Sequence, residues 1–265
     1  MRAARQLVVL LVLGVLLTGC GSGGKVSSGP KPSGKTVKTA AGTATPYGSD
    51  ARRVWVLTPR DGRFSSVVVY LHGWGATSPF EWHVHWFDHL LERGSAVLFP
   101  VYQLGTGDDT PPVTLPDARA GIQLGFRALD AHDVPVVAAG FSHGAALAFF
   151  YASRAGSWGV PRPAAVYSVF PVDPLGIDPA FGRAPLRDTR VVVLAGDRDT
   201  TVGRAGADAF WAWLRTSPAR LRTYRIVRTT DELLADHEAP TFVDSAAVRA
   251  TFWQPLDVLV EAARR

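Results

Sequence analysis

Downstream of position 50, short apolar runs alternate with longer stretches whose apolar residues recur every three or four positions. The runs at 54–57, 67–71, 96–102, 134–139, 164–170, 190–194 and 221–227 predict β-strands. The stretch at 67–71 (Val-Val-Val-Tyr-Leu) is apolar at every position, as expected of a strand buried on both faces of a parallel sheet. Helical periodicity predicts helices at 80–93, 117–131, 145–153, 205–214 and 245–263, the last with a kink at Pro255. Phe210, Trp211 and Trp213 follow that spacing and are expected to pack against the sheet. Strands separated by single helices require crossover connections. The pattern therefore predicts an α/β domain with a mostly parallel, doubly wound sheet flanked by helices. No internal repeat interrupts it.

The first fifty residues follow another pattern. Arg2 and Arg5 precede an apolar run from Leu7 to Leu17, and Thr18-Gly19-Cys20 follows. A basic start, a short apolar core and small residues at the exit predict an export signal over 1–19. The run is too short for a membrane span, which takes about 20 residues. Leu17-Thr18-Gly19-Cys20 resembles a bacterial lipobox, which implies acylation of Cys20 and an exported chain anchored to the membrane outside the cytoplasm. Residues 20–50 are rich in Gly, Ser, Thr, Lys and Pro, and are expected to form a flexible tether ahead of a folded domain over 51–265. Cys20 is the single cysteine, so that domain has no internal disulfide.

Charge changes the picture in one respect. The formal net charge of +5 suggests an acidic partner, but Arg2, Arg5, Lys25, Lys31, Lys35 and Lys38 all precede the domain. From position 51 basic and acidic residues balance, and no basic face for nucleic acid is expected.

The sharpest chemical signal is Gly140-Phe141-Ser142-His143-Gly144, placed between a predicted strand and a predicted helix. A serine on a tight strand-to-helix turn projects its hydroxyl at the carboxyl edge of the sheet, and the flanking glycines let neighbouring backbone approach. With this turn the chain resembles the α/β-hydrolase superfamily of serine esterases, over roughly 52–265. The resemblance implies an α/β-hydrolase fold and Ser142 as nucleophile. Leu71-His72-Gly73-Trp74-Gly75 resembles the family's oxyanion segment, which implies the backbone N–H groups of Trp74 and His143 as oxyanion donors; His72 itself is expected to be structural. Gly196-Asp197-Arg198-Asp199-Thr200-Thr201-Val202 resembles the family's acid loop and implies Asp199 as the acid, with Asp197 and Asp173 as weaker candidates. His237 is the only histidine after His143, and the family's Ser–acid–His order implies it as the base.

His85 and His89 stand four apart on a predicted helix, as metal ligands can, but the segment lacks the neighbouring Glu of a hydrolytic zinc helix and any cysteine. Neither a metal nor an organic cofactor is expected. Only about twenty residues join the strands at 164–170 and 190–194, where larger members insert a lid. Little or no lid domain is therefore expected, with an open pocket for soluble esters, small acyl groups or an exposed polymer chain. The expected reaction is hydrolysis of a carboxylic ester by a monomer. A peptidase or acyltransferase of the same fold, or a non-catalytic tethered binding protein, are the alternatives.

Overall fold

The computed structural model describes residues 29–105, 111–131, 133–182, 186 and 188–265. The expected export signal, Cys20 and its lipidation lie outside the described residues. Among those described, nine strands form one sheet: β1 (Val37–Lys38), β2 (Gly42–Tyr47), β3 (Val54–Pro59), β4 (Ser66–Leu71), β5 (Ser95–Pro100), β6 (Val136–Phe141), β7 (Ala165–Val169), β8 (Arg190–Gly196) and β9 (Leu221–Val227). Their order is β1-β2-β3-β5-β4-β6-β7-β8-β9. From β5 through β4 and β6 to β9 every pairing is parallel, and β1, β2 and β3 add antiparallel pairings at one edge.

Alternation along the strands divides the core between the two faces. Val67, Val69 and Leu71 of β4 pack under α2 (Pro111–Leu129), α3 (His143–Trp158) and α4 (Ala205–Thr216). Val68 and Tyr70 point the other way, beneath α1 (Val84–Glu92) and α6 (Gln254–Arg264). Helices on both faces are what a sheet of fully apolar strands needs, because each exposed face would leave a row of valines in water. Phe210 and Trp213 pack on Phe149 and Phe181, as their spacing predicts.

Two local features differ from the sequence reading. The tether expected over 20–50 does not extend that far, because β1 and β2 belong to the sheet. Gly42, Ala44 and Pro46 alternate inward along β2, and Ala44 is fully buried. A Cβ on Gly42 would stand 2.0 Å from the carbonyl oxygen of Thr58, so glycine lets β2 lie against β3. Pro46 is tolerated because its missing N–H faces the outer edge, where its carbonyl accepts a hydrogen bond from the Ser33 N–H at 2.9 Å. Asp88 of α1 then holds the incoming chain, accepting from the Thr39 hydroxyl at 2.6 Å and the Ala41 N–H at 3.0 Å. Small side chains suffice here because this strand buries backbone more than hydrocarbon, which a count of large apolar residues misses.

At the C-terminus, the helix expected over 245–263 has three parts. A short α5 (Ala246–Val248) passes into a π-turn (Arg249–Trp253) and then α6. Pro255 falls in the first turn of α6, where a missing N–H costs little. The widened turn before it absorbs the change in hydrogen-bond register that a proline in one continuous helix would force into a kink.

Candidate active site

Ser142, Asp199 and His237 lie in three loops that leave the carboxyl ends of β6, β8 and β9, so the parallel sheet delivers them to one edge. Ser142 is the turn residue between β6 and α3, with φ 55° and ψ −119°. A non-glycine residue in this region is strained by roughly 1–3 kcal/mol and persists only where its surroundings fix it. Here they do. The Ser142 N–H donates to the Val169 carbonyl at 2.9 Å, and the Gly144 N–H donates to the His72 carbonyl at 2.9 Å. A Cβ on Gly140 would meet the Gly144 carbonyl oxygen at 2.3 Å, and one on Gly144 would meet the Leu71 carbonyl oxygen at 2.0 Å. Both glycines are thus required by close backbone approach, and the second brings the elbow against the end of β4.

The side chains form a continuous hydrogen-bonded line. His237 Nδ1 lies 2.8 Å from Asp199 Oδ2, and His237 Nε2 lies 2.9 Å from Ser142 Oγ. An ionised carboxylate only accepts, so Nδ1 carries the proton and Nε2 presents its lone pair to the Ser142 hydroxyl. The other Asp199 oxygen accepts from the Thr201 N–H at 2.9 Å and the Val202 N–H at 3.0 Å. Burial pushes the Asp199 carboxyl up, but the hydrogen bonds from His237, Val202 and Thr201 outweigh it and hold the group below the usual carboxylate range. Ser142, Asp199 and His237 are only 6%, 7% and 7% exposed, so little water competes for these bonds. Phe141 and Phe170 pack beside the imidazole, with ring centroids 4.9 and 6.3 Å away.

The segment following β4 is tied down equally closely. His72 is fully buried and stacks on Tyr102, with centroids 4.0 Å apart and planes 3° from parallel. Its Nδ1–H donates to the Gly73 carbonyl at 2.7 Å, and its own carbonyl accepts from the Tyr102 hydroxyl. Burial lowers the imidazole to about 3, so it stays neutral and structural, as the sequence suggests. The Gly75 N–H donates to Gln103 Oε1 at 3.0 Å, and Gly75 itself has φ 81°. Among the described residues, the N–H groups of Trp74 and His143 have no acceptor. The two side chains meet edge to face at 5.0 Å. His143 Nε2 bonds Thr114 Oγ1 of α2 at 2.8 Å, and burial lowers this imidazole to about 4.

The competing candidates fall elsewhere. Asp197 accepts from the Thr229 N–H and hydroxyl, both at 2.9 Å, and supports the loop after β9. Asp173 accepts from the Leu175 N–H at 3.0 Å and caps a short 3₁₀ turn. His89 bonds Asp257 at 2.9 Å and joins α1 to α6. Among the described residues no group of three His, Cys, Asp or Glu side chains is placed to hold a metal ion. Sequence reasoning missed Tyr102, Gln103 and Thr114, which act from the end of β5 and the start of α2. It also missed the Thr201 and Val202 donors, although an Asp bonding backbone N–H groups two and three residues on is a recognisable turn.

Beside Trp74 and His143 opens a cleft of about 310 Å³, completed by Val172, Asp173, Gly176 and Ile177. Among the described residues, the connection from β7 to β8 beside it includes a single 3₁₀ turn, Pro174–Gly176, and no lid domain.

No protein-family model matches this sequence, and no curated protein sequence matches it. Solved structures do. Thermogutta terrifontis esterase 2 phosphorylated by paraoxon is 17% identical, with a TM-score of 0.65 over 86% of this chain and 96% of that chain. The propionate-bound form of that thermophilic esterase is 17% identical, with a TM-score of 0.62 over 80% and 90% of the two chains. An inhibited esterase B from Lactobacillus rhamnosis is 16% identical, with a TM-score of 0.57 over 80% and 83%. At such identities the likeness speaks to architecture, and with the strand order above it establishes that this chain has the α/β-hydrolase fold.

Proposed function

We propose that this chain is a serine hydrolase of carboxylic esters, acting through an acyl-enzyme on Ser142. The observation that carries this reading is the unbroken line from Asp199 through His237 to Ser142, at 2.8 and 2.9 Å. His237 Nε2 takes the hydroxyl proton as Ser142 Oγ attacks the ester carbonyl, and Asp199 stabilises the imidazolium that results. The carbonyl oxygen becomes an oxyanion facing the Trp74 and His143 N–H groups. Donors fixed before the reaction need no reorganisation when charge develops, which makes them effective in a site this dry. Protonated His237 then gives its proton to the departing alkoxide. Water repeats the sequence on the acyl-enzyme and releases a carboxylic acid. No step calls for a metal or an organic cofactor.

The fold of the neighbouring esterases supports this reading. For its setting we propose an exported, monomeric protein anchored to the membrane through lipidated Cys20, with the Leu-Thr-Gly-Cys sequence as support. The purified protein should hydrolyse p-nitrophenyl butyrate, with butyric acid as product and a turnover in the enzymatic range of about 1–10³ s⁻¹. Diversion of most of the product to a butyrate ester at low alcohol concentrations would favour an acyltransferase. Faster cleavage of peptide anilides would favour a peptidase, and a folded protein inert to every ester would overturn the reading.

A further inference from the structure

Large hydrophobic side chains in contact with water are unevenly distributed over this molecule. Among the described residues, Leu104, Val113, Leu175, Leu234, Phe242 and Val243 are between 46% and 65% exposed. All six lie in segments that follow the carboxyl ends of β5, β7 or β9, the edge that carries Ser142, Asp199 and His237. Away from that edge, among the described residues, stand only Val37, Leu221 and Val258. Scattered single apolar residues need no explanation, but a ring of them around a reactive serine does.

Two clefts of similar size open in the segments at this edge. The first, of about 310 Å³, is the apolar one beside Trp74 and His143, with Val172 and Ile177 in its wall. The second, of about 280 Å³, lies in the loop that carries His237 and is lined by Leu233, Leu234, Ala239, Phe242 and Val243. Both are close to the lower limit of about 300 Å³ for ligand pockets, room for a short hydrocarbon segment rather than a long fatty chain. A substrate that reaches both with its ester at Ser142 carries a short apolar segment on each side of that ester. The charge around the ring narrows the choice. Residues 229–244 carry Asp231, Glu232, Asp236 and Glu238 with no Lys or Arg, Asp244 being paired with Arg249, and Asp173 lies at the first cleft. An anionic membrane surface attracts basic segments and repels an acidic one.

We propose that the carboxyl edge of the sheet is a docking surface for a neutral, water-insoluble aliphatic polyester with short repeats, which lies across both clefts with one ester at Ser142. This rests on the ester-hydrolase reading and extends it to a substrate class. The chemistry is unchanged: water adds across the acyl C–O bond, leaving a carboxylic acid end and a hydroxyl end. The apolar ring supplies adsorption, since burying exposed leucine, valine and phenylalanine against the polymer removes them from water.

The test compares the wild-type protein, Leu104→Ser/Leu175→Ser and the remote control Leu221→Ser/Val258→Ser, on soluble p-nitrophenyl butyrate and on poly(ε-caprolactone) nanoparticles. The mutated ring residues line neither cleft, so all three proteins should turn over the soluble ester alike. On nanoparticles the ring variant should release acid about tenfold more slowly, while the control matches wild type. Equal polymer rates for all three, or soluble-ester activity without polymer cleavage, would overturn the docking proposal and leave the hydrolase reading intact. Sedimentation of the protein with anionic vesicles through the same two leucines would overturn it in favour of a membrane surface. Loss of soluble-ester hydrolysis in the wild type is the separate failure of the hydrolase reading itself.

Discussion

Replacing Asp199 by Asn should lower kcat on a soluble ester by about 10³–10⁴-fold while leaving the protein folded. The size of the effect follows from how this loop orients an amide. The Thr201 and Val202 N–H groups donate to one carboxylate oxygen, and both need an acceptor. In the variant the amide oxygen stays with them, which turns the NH₂ group toward His237 Nδ1. The imidazole must then accept at Nδ1 and carry its proton on Nε2, where it points at Ser142 Oγ and cannot receive the hydroxyl proton. The negative charge that stabilises the imidazolium is lost as well. KM should change little, since neither effect touches the bound ground state. The variant isolates the chemical step if its circular dichroism and melting curve match the wild type. In the wild type Asp199 is held below the usual carboxylate range, so its protonation does not set the acid limb of activity. A rate loss below tenfold would mean that Asp199 does not orient the base.

A pair of glycines in one helix should respond to the same change in opposite directions. Gly144→Ala places a methyl group 2.0 Å from the Leu71 carbonyl oxygen and 2.3 Å from that of His72. Those atoms are backbone at the end of β4, so relief requires moving the strand end and the Trp74 segment away from the elbow. Overpacking of this kind costs about 3 kcal/mol or more, a fall in Tm of roughly 6–12 °C for a domain of this size. Ester hydrolysis should fall at least a hundredfold as the oxyanion donors separate. Gly156→Ala lies twelve residues on in α3, and there the new Cβ meets nothing nearer than an Arg162 nitrogen at 3.7 Å. That variant should gain about 0.5–1 kcal/mol from helix propensity, with activity unchanged. Differential scanning calorimetry with parallel assays separates the two, and a Gly144→Ala protein as stable and active as wild type would refute the close-packed elbow.

Much of this fold was legible in the sequence where side chains decide the outcome. The strands β4, β6 and β7 stand out because a strand covered on both faces is apolar at nearly every position. Ser142 could be placed because its flanking glycines leave a local signature, and Asp199 and His237 because the resemblance supplies their order. β2 was not legible, since Gly42, Ala44 and Pro46 bury backbone and small side chains, and their neighbours have the composition of a linker. The anchoring of that strand depends on Asp88, 47 residues downstream of the Ala41 N–H it accepts, and no local pattern reveals such a bond. The support for the turn at Ser142 was hidden for the same reason. Tyr102 reaches the His72 carbonyl and Thr114 reaches His143 across sequence gaps of 30 and 29 residues. The π-turn at Arg249–Trp253 was beyond a helical-period reading, which assumes one hydrogen-bond register from end to end.

The central claim is that Ser142 is an activated nucleophile, and a fluorophosphonate probe tests it most directly. Such probes phosphonylate a serine that has a working base and leave ordinary hydroxyls alone. Intact-mass and peptide-mapping spectrometry of the labelled protein should show one adduct, on Ser142. Labelling should be absent in Ser142→Ala and slowed by orders of magnitude in His237→Ala. A folded wild-type protein that takes up no label, or one labelled equally with and without His237, would contradict the account.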